Sequence, residues 1–164
     1  MVQPTKLFWK AVKHVLRYLR GTTQYGLWYI QTEGVKLQGF TDADWVGSPS
    51  DWKSTSQGIF NLGSATVSWY SRKQRSVALS STEAKYMAAI QASCEAIWMR
   101  NILVGLFGKM MDPTVIYCDN QSCIKLFENP VFHDRSKHID ICYHHLRDCV
   151  VKRIMMLQYV SNEE

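Results

Sequence analysis

The run Thr114-Val115-Ile116-Tyr117-Cys118, followed at once by Asp119-Asn120, decides how this chain is read. It is short and almost continuously apolar, the mark of a strand buried on both faces inside a helix-covered sheet. A carboxylate placed directly after such a strand projects from the sheet's end. An upstream stretch repeats the arrangement: Val35 to Ala43 reads as a strand and closes on Thr41-Asp42-Ala43-Asp44. If the two strands are neighbours, Asp42 and Asp119 leave one sheet edge together. Hard oxygen ligands so placed suit divalent cations, and two Mg ions about 4 Å apart can activate a water and stabilise the leaving oxygen of a phosphodiester. Local roles compete with this reading. Asp119 can cap the next helix, and Asp42 or Asp44 can be turn residues.

Outward from these strands the pattern is mixed. A first helix is expected from about Thr5 to Leu19, stopping at Gly21, and a short strand over Tyr25 to Gln31. Gln57 to Leu62 and Thr66 to Ser71 read as a hairpin across a Gly63-Ser64 turn. Ser80-Ser81-Thr82-Glu83 fits a capping box, with Ser80 as N-cap and Glu83 reaching back to its amide. The helix it opens runs to about Phe107, with a small-residue stripe of Ala88, Ala89, Ala92 and Ala96 that begins at position 85. A short helix to about Glu128, a break at Asn129-Pro130, a helix over about Ile139 to Val151 and a strand from Met155 to Val160 complete the chain. Three strands, a long helix, then strand, helices and strand imply an α/β fold with a mixed sheet, not a doubly wound one.

The 164 residues suffice for one core, and no run approaches the ~20 apolar residues of a membrane helix. No charged leader precedes an apolar segment, so a secretion signal is not visible and no membrane partner is expected. Five scattered cysteines fit reduced thiols in an intracellular protein, cytoplasmic or nuclear, better than a disulfide framework. The net charge of +5 is concentrated. Lys6, Lys10, Lys13, Arg17 and Arg20 make one helical stripe beside an apolar face of Phe8, Val12, Val15 and Leu19. This stripe reads equally as a solvated face or a phosphate-contacting one, and Arg72-Lys73-Gln74-Arg75 tilts the balance toward nucleic acid.

Several motifs, in order, resemble the RNase H segment of copia-type LTR-retrotransposon Pol polyproteins. They are Thr41-Asp42-Ala43-Asp44-Trp45, Lys53-Ser54-Thr55-Ser56, Ser68-Trp69-Tyr70-Ser71-Arg72-Lys73-Gln74, Val77-Ala78-Leu79-Ser80-Ser81-Thr82-Glu83-Ala84, Tyr117-Cys118-Asp119-Asn120-Gln121-Ser122 and Lys137-His138-Ile139-Asp140. The front segment, Trp9 to Thr22, resembles the tail of the reverse transcriptase that precedes that domain. The resemblance implies an RNase H-like fold, a five-stranded mixed sheet flanked by helices. It implies residues 1–34 as a remnant of the reverse transcriptase and 35–164 as the RNase H-like domain. The family cleaves the RNA strand of RNA–DNA hybrids with two divalent metals, Mg or Mn, held by four carboxylates. Asp42 and Asp119 match the first and third as catalytic and metal-binding residues.

The second carboxylate belongs where related sequences read Glu-Ala-Glu-Tyr; here Glu83-Ala84-Lys85-Tyr86 puts Lys85 at that position. The fourth lies in an Ala-Asp-Ile-like motif beyond Leu157-Gln158-Tyr159-Val160, and the sequence ends at Ser161-Asn162-Glu163-Glu164, so a domain truncated at its C-terminus is expected. An ammonium beside two carboxylates repels Mg, and Lys85 is expected to pair with Asp42, Asp119 or both. The resemblance places Ser81 and Thr82 at the hybrid's minor groove; Arg72 and Lys73 of the basic cluster and Asn120 are further candidates for the nucleic acid, with the hybrid and the reverse transcriptase part of the same polyprotein as partners. The function implied is a retrotransposon-derived ribonuclease H impaired by Lys85 and the missing carboxylate, or a non-catalytic nucleic-acid-binding or interaction domain.

Two further patterns carry less. His138, Cys142, His145 and Cys149 share one helical face, from which four ligands do not converge on a zinc tetrahedron. Arg17-Tyr18-Leu19-Arg20 matches the R-x-L-R pattern of secreted oomycete effectors, but it falls inside an amphipathic helix and reads as coincidence.

Overall fold

The computed structural model describes residues 5–31, 34, 36–108, 112–128 and 147–161. In chain order these form α1 (Lys6–Gly21), β1 (Leu37–Asp44), β2 (Thr55–Leu62), β3 (Ala65–Lys73), α2 (Ser81–Phe107), β4 (Thr114–Cys118), α3 (Gln121–Glu128) and β5 (Met155–Tyr159). The strands make one sheet in the order β3-β2-β1-β4-β5. β1, β2 and β3 pair antiparallel, while β4 pairs parallel with both β1 and β5. This is the mixed five-stranded sheet that the sequence implies.

Strand periodicity sorts the side chains. Leu37, Phe60, Ile116 and Met155 point inward and join a core with Tyr86, Ala89, Ala92, Ala96 and Met99 of α2 and Cys123 and Phe127 of α3. The alanine stripe explains how α2 lies so close to the sheet: Ala84, Ala88, Ala89, Ala92 and Ala96 are completely buried, leaving no side chain to hold the helix off. Ser80 Oγ accepts from the Glu83 amide at 3.1 Å, as a capping box requires. Glu83 itself returns to the Leu79 amide at 2.7 Å, one residue before the expected Ser80. The far end stops at Gly108, whose φ of 63° is the left-handed conformation that favours glycine.

One expectation is overturned, one lies mostly outside the described residues, and one is met. Tyr25 to Gln31 is not a strand; every residue in it is exposed. It is tied to the β2–β3 turn through a hydroxyl, with Ser64 Oγ accepting from the Ile30 amide at 2.8 Å and donating to the Ile30 carbonyl at 3.3 Å. Aromatic and β-branched composition there signals surface, not ladder pairing. The helix expected over Ile139 to Val151 lies mostly outside the described residues; 147–151 are helical, with Cys149 buried in the core. Lys137, His138, Ile139, Asp140, Cys142 and His145 are also outside them. Finally, α1 runs as expected, capped by Thr5, yet none of its residues is buried.

Candidate active site

The site is set by strand order. β1 and β4 are adjacent and parallel, with Thr41 opposite Cys118, so the residues that follow, Asp42 and Asp119, emerge side by side at one edge. The condition that the sequence left open is met. Asp42 is about half exposed and accepts from the Ala43 amide at 2.7 Å, whereas the Asp119 side chain is 13% exposed.

Between them stands Lys85, from the second turn of α2. Its Nζ lies 3.2 Å from Asp42 Oδ1 and forms a closer ion pair and hydrogen bond with Asp119 Oδ2. The backbone around it explains the reach. Ala43, Ala78, Ala84 and Ala88 pack as a small cluster that brings the start of α2 against β1. Buried Gln74 fastens the same turn, its Nε2 donating to the Ala84 carbonyl at 2.9 Å and to Ser56 Oγ at 3.0 Å. Trp45 Nε1 donates to the Ala78 carbonyl at 3.2 Å.

Electrostatics agree with the geometry. Burial pulls the Lys85 ammonium toward the neutral form, but its hydrogen bond to Asp119 and the charge of Asp42 outweigh this, and its pKa is raised above 10.5. One cation between two anions leaves a cluster of net charge −1. Beneath it, the buried thiols of Cys118 and Cys123 share a hydrogen bond that lowers the first and raises the second. Both are free thiols that serve as core packing.

The remaining candidate residues fall on the same edge with separate local duties. Ser81 is exposed and Thr82 half-buried in the first turn of α2. Asn120 accepts from the Cys123 amide at 2.8 Å, so it caps α3. Ser71 stands opposite Gln57, and Gln57 opposite Asp42, which brings the end of β3 to this edge two strands away. There Lys73 pairs with Asp51 at 2.8 Å, and the Arg72 guanidinium lies 5.2 Å from the Tyr70 ring centre. Glu83 is committed to the helix cap and does not join the carboxylates. Gln74 and Trp45 were missed as positioning residues. Nothing in their spacing marks them, because their partners lie on other elements, distant in sequence.

No family model matches the chain. It is 40% identical over 164 residues to the retrovirus-related Pol polyprotein from transposon RE2 of Arabidopsis thaliana, covering 100% of this chain and 11% of that protein. It thus spans about a ninth of the length of that relative. It is also 49% identical over 96 residues to secreted RxLR effector protein 161 of Plasmopara viticola, 58% of this chain and 68% of that one. Among solved structures it resembles LC11-RNase H1, isolated from compost, with a TM-score of 0.56 at 14% identity over 78% of this chain and 86% of the other. A second structure of that protein, in complex with an RNA/DNA hybrid, gives a TM-score of 0.50 at 13% identity, covering 78% and 87%.

Proposed function

We propose a function from the premise that the chain belongs to the retrovirus-related Pol proteins of copia-type retrotransposons, as their RNase H-like domain. By descent it hydrolyses the RNA strand of RNA–DNA hybrids with two divalent metals; in this chain the hydrolytic site is impaired. The observation that carries this reading is the Lys85 ammonium seated between Asp42 and Asp119. It holds the position of a divalent ion's charge, at the helix position where the family places a carboxylate.

As they stand, these residues do not fit Mg or Mn. A divalent ion there meets a fixed cation, and among the described residues no three His, Cys, Asp or Glu side chains converge on a common point. What they supply instead is structural: Lys85 neutralises part of the charge that two adjacent carboxylates place on one strand edge. Ser81, Thr82, Asn120, Arg72 and Lys73 remain on the edge that a hybrid crosses, and residues 1–34 are read as reverse-transcriptase sequence.

The second reading, binding without turnover, is favoured by the five cations of α1, which has no acidic residue. A labelled RNA–DNA hybrid separates the two. We expect salt-sensitive binding and no Mg-dependent cleavage; cleavage abolished by Asp42→Asn would mean the nuclease is intact. Calorimetric titration tests the cause. The wild-type chain should show no tight Mg or Mn site, and Lys85→Glu, which turns a cluster of −1 into one of −3, should bind Mg at least tenfold better. Tight Mg binding by the wild type would sink the proposal.

A further inference from the structure

Two apolar surfaces of this chain have no partner among the described residues, and they match each other. The first is α1. Phe8, Val12, Val15 and Leu19 form one face, and all are at least 40% exposed, Phe8 55% and Val15 56%. A 16-residue helix that buries none of its residues is marginal in water, so its order calls for something that covers this face. The second is the face of the sheet turned away from α2 and α3. Trp69, Ile59, Phe40 and Tyr117 stand there in one row across four strands. Phe40 stacks on Tyr117 at 4.9 Å, while Trp69 is 68% exposed and Ile59 48%. Between Phe40, Gln57, Ile59 and Trp69 the surface sinks into an open cavity of about 370 Å³.

We propose that α1 of one copy docks its apolar face on the Phe40–Ile59–Trp69 face of a second copy, reciprocally, to make a symmetric dimer. Size supports it. The helix is roughly 24 Å long and the five-stranded sheet roughly 20 Å wide. A footprint of roughly 24 by 10 Å, counted on both surfaces and twice by symmetry, buries on the order of 1,000 Å², the lower bound for a specific interface. Charge supports it as well. α1 carries Lys6, Lys10, Lys13, Arg17 and Arg20 and no acid, whereas exposed Asp44 and the net negative charge that Asp42 and Asp119 keep after pairing with Lys85 flank the sheet row, and Lys73 is already held by Asp51. The chain's own α1 is exposed along its whole length, and none of its residues lines the cavity beside that row.

Sedimentation of the whole chain tests this. The expected mass is twice the 19.0 kDa of one chain, falling to one chain in Val15→Glu and equally in Trp69→Glu. Both positions are exposed, so circular dichroism should report intact folds. Mixing the two variants should restore a dimer, because the intact α1 of one meets the intact sheet face of the other. A wild-type monomer, a dimer indifferent to Val15→Glu, or variants that fail to complement each overturns the proposal. A monomer in which Trp69 is shielded from a soluble quencher, and exposed by Val15→Glu, would assign the face to the chain's own helix instead.

Discussion

The two longest helices among the described residues invert the usual relation between pattern and burial. α1 has a clean division into apolar and basic faces and buries nothing. α2 has almost no such division, yet buries nine residues, five of them alanines. Amphipathic periodicity reports that a helix has a face to cover; it does not say what covers it. A stripe of small residues reports something different, that a backbone comes close to another element. In α2 that closeness carries Lys85 within reach of two carboxylates from different strands.

The largest test of this contrast places one charge on each helix. Ala92→Asp puts an unpaired carboxylate into a completely buried position between α2 and the sheet. A cost above about 5 kcal/mol is expected, enough to unfold a domain of ordinary stability, as circular dichroism would show. The matching change on α1, Val15→Glu, should leave the chain's own unfolding within about 0.5 kcal/mol. Equal sensitivity at the two sites would mean that α1 is packed as firmly as α2.

An intermediate effect belongs to the site. Lys85→Met keeps most of the side chain's length and removes the cation, leaving Asp42 and Asp119 facing each other with Asp119 largely buried. We expect a loss of roughly 1–3 kcal/mol in urea unfolding, with the fold retained. Lys85→Met with added Asp119→Asn should recover part of it, since the repulsion is then gone. No loss in the single variant would show that the ion pairs add nothing to the fold.

Much of this was legible in the sequence for a physical reason. Strands with buried faces and a capping box are local signals, and β1–β5 and Ser80 follow them closely; the left-handed stop at Gly108 came only with the structure. Lys85 was legible because the resemblance to related sequences marks its position, and it also continues the alanine stripe that faces the sheet. What local signals leave open is pairing between distant segments. That β1 lies beside β4, and Asp42 therefore beside Asp119, depends on strands far apart in sequence. The same limit hid Gln74, which looks like a loop glutamine but holds α2 to β2. It also misassigned Tyr25 to Gln31, whose strand-like composition lies exposed beside a turn hydroxyl.

The smallest expected effect is the sharpest comparison, because the chemistry is the same on both helices. Thr5 Oγ1 accepts from the Phe8 amide at 3.3 Å, and Ser80 Oγ from the Glu83 amide at 3.1 Å. Each satisfies one amide that the helix start leaves without a partner, a contribution of about 1 kcal/mol to the helix. Ser80→Ala should pass that loss to the whole domain, because α2 cannot fray without uncovering the core; a fall of roughly 2–4 °C in melting temperature is expected. In a monomeric background such as Trp69→Glu, Thr5→Ala should loosen only α1, lowering helical signal before the main transition while its midpoint stays put. In the dimer the same change should also weaken association, because α1 would then be ordered by its partner. A midpoint shift of equal size from both caps in the monomer would mean that α1 unfolds with the core.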